Sequence, residues 1–227
     1  MKKILFIILT CIACDVFAQS AQEVLSACTN AFRDNKYLSM EVAVYNYANS
    51  TSSGELLGRA IMRKSDNNYY SKFLNDEMIS NKNCTVILNH ESKTMRCFVG
   101  QNQKHNQVAA TPDSVLLPGD SLVYNGIENN ERHVTIYHKN SYYLRTEMYF
   151  SVATSLPSRI IYYHAPANEE FTTDAYKTEL LYEKISFEKT DEDIFSEKKY
   201  VERKNGKWIA APEFKNYVLT VSETPEQ

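Results

Sequence analysis

Apolar and polar residues along this chain follow two rhythms, and the change between them comes early. Ser20-Ala21-Gln22-Glu23 is a capping-box pattern, in which a serine hydroxyl and a glutamate carboxylate satisfy backbone donors at a helix start. Val24, Leu25, Cys28, Ala31 and Phe32 follow at helical spacing, predicting a one-sided helix from about Ala21 to Asp34. After Asn35 the period becomes two. Leu38, Met40, Val42 and Val44 share one strand face, and Ser39 and Glu41 lie on the other.

Strands are predicted over residues 38–47, 54–64 and 68–74, around Met78-Ile79, and about Cys84 and Cys97. They resume over 133–139, 142–152, 158–164, 176–188, 199–204, 207–210 and 214–221. Turns between them are hairpin-length, and Asn205-Gly206 is the strongest hairpin signal in the chain. These thirteen stretches, some of them only a few residues long, are read as about eleven strands in an antiparallel meander. Residues 101–131 break the rhythm. Within them Thr111-Pro112-Asp113-Ser114 opens a short helix with apolar side Val115-Leu116-Leu117, ended by Pro118-Gly119. Such an interruption is usually functional or mobile. The helix would close over a cavity or pack down as a crossover.

The first eighteen residues carry a different signal. Lys2 and Lys3 precede an apolar run, and Val16-Phe17-Ala18 offers small residues to a signal peptidase. Residues 1–18 are therefore expected to be a secretory signal peptide, with 19–227 as one domain. Cys14 offers a second route, as an acylated first residue. Cys11 stands where that route wants a branched aliphatic, and cleavage after Ala18 leaves the longer apolar core, which favours the soluble form. The expected location is periplasmic or secreted, with lipid anchoring at Cys14 as the alternative.

Cys28, Cys84 and Cys97 remain after cleavage, so one intramolecular bridge at most can form. With Asn89-His90-Glu91-Ser92 as a four-residue turn, Cys84 falls opposite Cys97 and Val86 opposite Met95. An oxidising compartment would allow a Cys84–Cys97 disulfide; two packed thiols are the alternative. Cys28, on the apolar side of the helix, reads as a buried thiol.

The chain has 25 Lys and Arg, 28 Asp and Glu and a net charge of −3, so no basic excess draws it to nucleic acid. Gly and Pro number six each against 16 Tyr, which suits long strands. His133 and His138 are five apart and face opposite ways, while His90, His105 and His164 lie in a turn, a loop and a strand end. Asp191-Glu192-Asp193 lacks the glycine and spacing of a calcium loop. No Gly-x-Ser-x-Gly, His-Glu-x-x-His, phosphate loop or Cys-x-x-Cys occurs after residue 18. Neither catalytic residues, a metal site nor a cofactor is indicated. Tyr69-Tyr70, Tyr142-Tyr143 and Tyr162-Tyr163 put one ring of each pair on each face.

The order of these parts resembles the periplasmic lipoprotein-carrier family, LolA, with its relatives LolB, LppX and RseB. The opening Glu23-Val24-Leu25 helix, the 38–47 strand, and Gly54 and Gly58 leading into Ala60-Ile61-Met62-Arg63-Lys64 carry the likeness. The stretches 85–94 and 147–160, the second with a Pro turn at Leu156-Pro157, continue it. The resemblance is at the level of pattern and covers most of the chain after the leader. It implies a mainly β (α+β) fold: a curved antiparallel half-barrel sheet with an N-terminal helix and a short lid helix on its concave side. It implies an apolar hollow for lipid or lipoprotein acyl chains, with envelope membrane proteins as further partners. The family's Lys-Arg-Pro step, whose arginine bonds the lid shut, reads Arg63-Lys64-Ser65 here. Either Arg63 takes the lid contact in place of Lys64 or the lock is absent.

An oily half-barrel face would hold an acyl chain through about 0.8 kcal/mol per buried CH₂. The candidate lining is Leu38, Met40, Val42, Val44, Met62, Val86, Leu88, Met95, Val115, Leu116 and Leu117. The expected function is a non-enzymatic lipid or lipoprotein carrier or binder; an envelope scaffold or regulatory module with a filled hollow is the alternative.

Overall fold

The computed structural model describes residues 20–100, 116–139, 141–166 and 175–223. Helix α1 spans Ala21–Asp34. Its capping box forms as the sequence predicts: Glu23 N donates to Ser20 Oγ at 3.1 Å, and Ser20 N donates to Glu23 Oε2 at 2.8 Å. Val24, Leu25 and Cys28 are buried along one stripe.

Twelve strands form one curved sheet that does not close. They are β1 (Tyr37–Tyr47), β2 (Glu55–Ser65), β3 (Asn68–Phe73), β4 (Asp76–Ser80), β5 (Cys84–Asn89) and β6 (Thr94–Val99), then β7 (Ser121–Glu128), β8 (Glu131–Tyr137), β9 (Tyr143–Ser151), β10 (Pro157–His164), β11 (Lys177–Ser186) and β14 (Val218–Glu223). β12 (Val201–Lys204) and β13 (Lys207–Ala210) make a separate hairpin about Asn205-Gly206. The spatial order is β14-β6-β5-β4-β3-β2-β1-β11-β10-β9-β8-β7. β1 thus sits between two meanders, pairing with β2 on one side and β11 on the other.

Directly paired residues share a face, so the registers show which side each residue takes. Met40, Met62, Ser71, Met78, Ile87 and Arg96 form one cross-strand row on the α1 side. Ser39, Arg63, Tyr70, Ile79, Val86 and Cys97 form a row on the opposite side. The two halves of the sheet are covered on opposite faces. α1 packs over β7–β11 through Val134, Ile136, Met148, Phe150 and Ile160. The segment from Ile194 to Tyr217 packs on the other face of β2–β6, against Ile79, Val86, Leu88, Met95 and Cys97.

Polar bonds fix this second cover. Asn81 Nδ2 donates to Phe195 O at 2.8 Å and to Glu197 Oε2 at 2.7 Å. Tyr200 donates to Glu77 Oε1 at 2.5 Å, His90 Nε2 meets Glu77 Oε2 at 2.8 Å, and His90 Nδ1 meets Tyr217 at 2.8 Å. Burial alone would raise the Glu77 carboxyl, but the Tyr200 and His90 bonds outweigh it and hold it below its usual range.

The curved sheet has twelve strands, in line with the expected half-barrel of about eleven, and the β12–β13 hairpin stands apart from it. Several expectations need correction. β7 lies inside 101–131, where no strand is predicted, because a bulge at Asn125 and the left-handed Gly126 (φ 100°) interrupt its alternation. β14 pairs with β6 in parallel, so the sheet is not antiparallel throughout. The Cys84 strand is displaced by two residues: Cys84 faces Val99 and Val86 faces Cys97. Asn89 remains paired with Thr94, and its side-chain oxygen accepts from Ser92 N at 2.8 Å, moving the turn to residues 90–93. Most of the expected lid helix, with Val115, lies outside the described residues; Leu116 and Leu117 are not helical.

Lys64 locks α1 to the sheet. It is 5% exposed, and its Nζ donates to the carbonyls of Arg33, at 3.2 Å, and Asn35. A cation here satisfies carbonyls at the helix C-terminus and meets the negative end of its dipole. Burial lowers the Lys64 pKa, yet the ammonium is compensated by those bonds. Lys64→Met should lower the unfolding free energy by about 1–3 kcal/mol, as buried carbonyls lose their donor. Urea unfolding measures it; an unchanged midpoint would show that α1 is held by packing alone.

Candidate functional site

The pleat places an apolar strip on the α1 side of β2–β5 that runs outward from the helix-packed cluster of Leu38 and Met40. Met62, Ser71, Met78 and Ile87 form its centre, one per strand from β2 to β5. The paired residues Lys64, Tyr69, Ser80, Thr85 and Phe98 make the next row on one side. Phe73, Asp76 and Asn89 lie on the other. Met62, Tyr69, Phe73, Met78 and Phe98 are half-buried, and Ile87 is 39% exposed. Ser80 and Thr85 hydrogen-bond each other at 2.9 Å, which settles their hydroxyls in the floor.

The expected lining residues divide between two environments. Leu38, Met40, Val42, Val44 and Met62 lie on the α1 side. Leu38 and Met40 pack with Ala31, Phe32 and Leu156, and half-buried Met62 packs against the same cluster at the inner end of the strip. Val86, Leu88 and Met95 lie on the opposite face, fully buried under the Ile194–Tyr217 cover, and are core rather than lining. Leu116 packs against the α1 cluster, and Leu117 is 49% exposed. Ser71, Met78, Ile87 and Phe98 are the strip residues that periodicity alone does not mark.

Arg63 and Lys64 also part. Arg63 faces away from α1 and donates to Met40 O at 3.2 Å and Met62 O at 3.1 Å. Lys64 holds the end of α1. Among the described residues neither makes a lid contact. Cys28, Cys84 and Cys97 are buried, and Cys84 and Cys97 form no disulfide. Cys84 and Cys97 sit diagonally, and their mutual hydrogen bond, with burial, pushes the Cys84 thiol up.

A second polar group lies on the α1 side near the end of β8–β11. Asp120 Oδ2 meets His138 Nδ1 at 2.8 Å, and His138 Nε2 meets Thr146 Oγ1 at 2.9 Å. The order is that of an acid orienting a base beside a hydroxyl. Both the Asp120 and His138 side chains are 2% exposed and Thr146 is 0% exposed, so the group is closed to a substrate. Burial opposes ionisation of Asp120. Donors from Leu117 N, His138 and Lys139 N outweigh it and keep the carboxyl below its usual range. The group clamps residues 117–120 to β8 and β9. Tyr143 stands beside it, 6.3 Å from His138 and 5.3 Å from His164 between ring centroids. His164 Nε2 meets Thr178 Oγ1 at 2.8 Å.

The opposite face of β8–β11 carries a lattice of rings and charges. Tyr149 is held between His133, stacked at 4.3 Å, and the Arg159 guanidinium at 4.1 Å. Arg145 lies 3.9 Å over Tyr163, and Lys177 lies 4.1 Å over Tyr47. Glu147 accepts from Arg145, Tyr149 and Tyr163, and Tyr47 donates to Glu179 at 2.5 Å. Beneath these long side chains Ile161 and Ala43 are buried. Among the described residues no group of three His, Cys, Asp or Glu could hold a metal ion.

No family model and no curated protein matches the chain. It is similar to several solved structures. One is the Pseudomonas aeruginosa MucA/MucB complex: TM-score 0.46, 13% identity, covering 78% of this chain and 60% of that one. Another is an uncharacterized conserved protein from Thermus thermophilus: TM-score 0.44, 11% identity, covering 77% of this chain and 91% of that one. A LolA superfamily protein from Nitrosomonas europaea gives a TM-score of 0.35 at 11% identity, covering 79% of this chain and 98% of that one. Likeness at this level concerns fold and assigns no role to any residue.

Burial lowers the pKa of both His133 and His164 from the ordinary 6.5. The folded chain thus resists protonation that the unfolded chain accepts. Stability from these two groups is complete above about pH 6.5 and falls as pH drops through that value. The urea midpoint should decline between pH 7.5 and 5.5, and less steeply in a His133→Gln/His164→Gln double variant. An identical slope in the two proteins would refute the assignment.

Proposed function

We propose that this chain is a non-enzymatic carrier or binder of an acyl-bearing ligand, working in the periplasm or outside the cell. The observation that carries the reading is the strip of Met62, Met78, Ile87 and Phe98 left half-open on the α1 side of the sheet. Thioether and aliphatic side chains suit a hydrocarbon, because they adapt in shape and ask for no directional partner. Each methylene that leaves water gains about 0.8 kcal/mol when fully buried. A chain lying on an open strip is covered on one side, so it gains only part of that.

The leader-like residues 1–18 support export, and the lipoprotein carriers that the sequence pattern resembles suggest lipid or lipoprotein as cargo. Envelope membrane proteins are the natural donors and acceptors of such cargo.

A second reading rests on a different observation. Val86, Leu88 and Met95 are occupied by the chain's own Ile194–Tyr217 segment, as in a scaffold whose interior has been filled. That reading predicts an envelope interaction module that holds no lipid.

Protein purified from its own host and extracted for mass spectrometry should yield bound lipid, and the apo form should take up a fluorescent fatty acid. Met78→Lys and Ile87→Lys place a charge on open positions of the strip. Each should weaken uptake about tenfold or more while leaving the urea midpoint nearly unchanged. An absence of bound lipid and of uptake would favour the scaffold.

A further inference from the structure

The cross-strand row that forms the strip does not end in an apolar residue. It runs Met62, Ser71, Met78, Ile87 and then Arg96, directly opposite Ile87 in the β5–β6 pair. Paired Cβ atoms stand about 4.5–5.5 Å apart, so the Arg96 stem continues the apolar surface of Ile87. Arg96 is exposed, and among the described residues its guanidinium has neither an ion pair nor a hydrogen bond. Hydroxyl side chains surround it on the same face. Thr94 is two residues before it on β6, Thr220 is its partner on β14, and Ser222 faces Phe98. Asp76, the acid on this face of β4, accepts from Asn89 Nδ2 at 2.7 Å and lies two strands away.

We infer that the strip takes a single acyl chain ending in an anion, with the hydrocarbon along Met62–Ile87 and the carboxylate or phosphate at Arg96. The inference rests on the acyl-binding reading above and adds the direction and the head-group class. Four strand spacings separate Met62 from Arg96, roughly 19 Å, the scale of an extended long acyl chain. A guanidinium is suited to a carboxylate or a phosphate, since its planar fork binds either through two parallel donors. Thr94, Thr220 and Ser222 add neutral donors at the sheet edge, where the head can stay hydrated while the tail lies inward. The other end of the row offers no such site: Met40 is buried, and Lys64 in the neighbouring row is committed to the end of α1.

The test uses three probes with the same sixteen-carbon tail, below their aggregation limits: hexadecanoate, hexadecyl phosphate and hexadecanol. Each displaces a fluorescent fatty acid from the full chain. The wild-type protein should prefer at least one anionic probe over the alcohol by about tenfold, the scale of one charge-assisted contact. The preferred anion identifies the head group. Arg96→Gln should remove the preference and leave hexadecanol binding unchanged, and Arg96→Lys should keep part of it. Equal binding of acid, phosphate and alcohol, or a preference that survives Arg96→Gln, overturns the head-group site and leaves the acyl-binding reading in place. If none of the three binds, both fail. The position is exposed, so Arg96→Gln should match the wild-type urea midpoint.

Discussion

A sheet of twelve strands is wider than any cover this chain can lay over it. Strand spacing of about 4.8 Å gives a width of roughly 53 Å. α1, with 14 residues, is roughly 21 Å long at about 1.5 Å per residue. One helix of that length shields fewer than half of the strands. The chain meets the remaining burial from the other side, with the Ile194–Tyr217 segment on the opposite face of β2–β6. Everything specific to this molecule follows from covering the two halves on opposite faces. Each half buries one face and leaves the other to solvent, and the two exposed faces differ in character.

β1 carries the change between them. Leu38 and Met40 belong to the α1 layer, while Ser39 and Glu41 face the other way, toward the side that holds Arg63 and Ile61. The central strand therefore has no continuous apolar layer on its far side. Lys64 is the joint at this point, because the end of α1 must be fastened where helix cover stops. A buried ammonium is an expensive fastener, tolerable only because it satisfies carbonyls that would otherwise be stranded. Arginine in the same place would have to bury a larger planar group with more donors to satisfy.

Within one element the amino-acid pattern is plain to read. The Ser20–Glu23 capping box, the alternation through Leu38, Met40, Val42 and Val44, and the Asn205-Gly206 hairpin all appear where local chemistry puts them. What alternation cannot supply is the phase between strands. Val86 and Met62 are equally good inward residues on their own strands, and only the turns relate them. Between them lie three turns, Asp66-Asn67, Leu74-Asn75 and Asn81-Lys82-Asn83, and the first two open on a left-handed residue. The first is an ordinary turn signal and the second is not, since leucine rarely takes that conformation. Counting through all three turns puts Val86 with Arg63, one residue out of step with Met62. The 90–93 turn misleads for a similar reason: Asn89 looks like a turn residue but remains paired and uses its side chain to close the loop. β14 could not be read at all as a neighbour of β6, because parallel pairing at an edge is a long-range choice.

Two open faces remain, and physical chemistry separates them. On the β8–β11 half the central rings are already in use: Tyr149 lies between His133 and Arg159, Arg145 covers Tyr163, and Lys177 covers Tyr47. Glu147 and Glu179 have their donors. A ligand arriving there must displace contacts of about 0.5–1 kcal/mol each and strand charges that now compensate one another. The β2–β6 strip has no such commitments. Met78 and Ile87 give up water when covered, and that exchange is the favourable one. The same sheet thus carries compensated rings and charges on one open face and uncovered apolar side chains on the other.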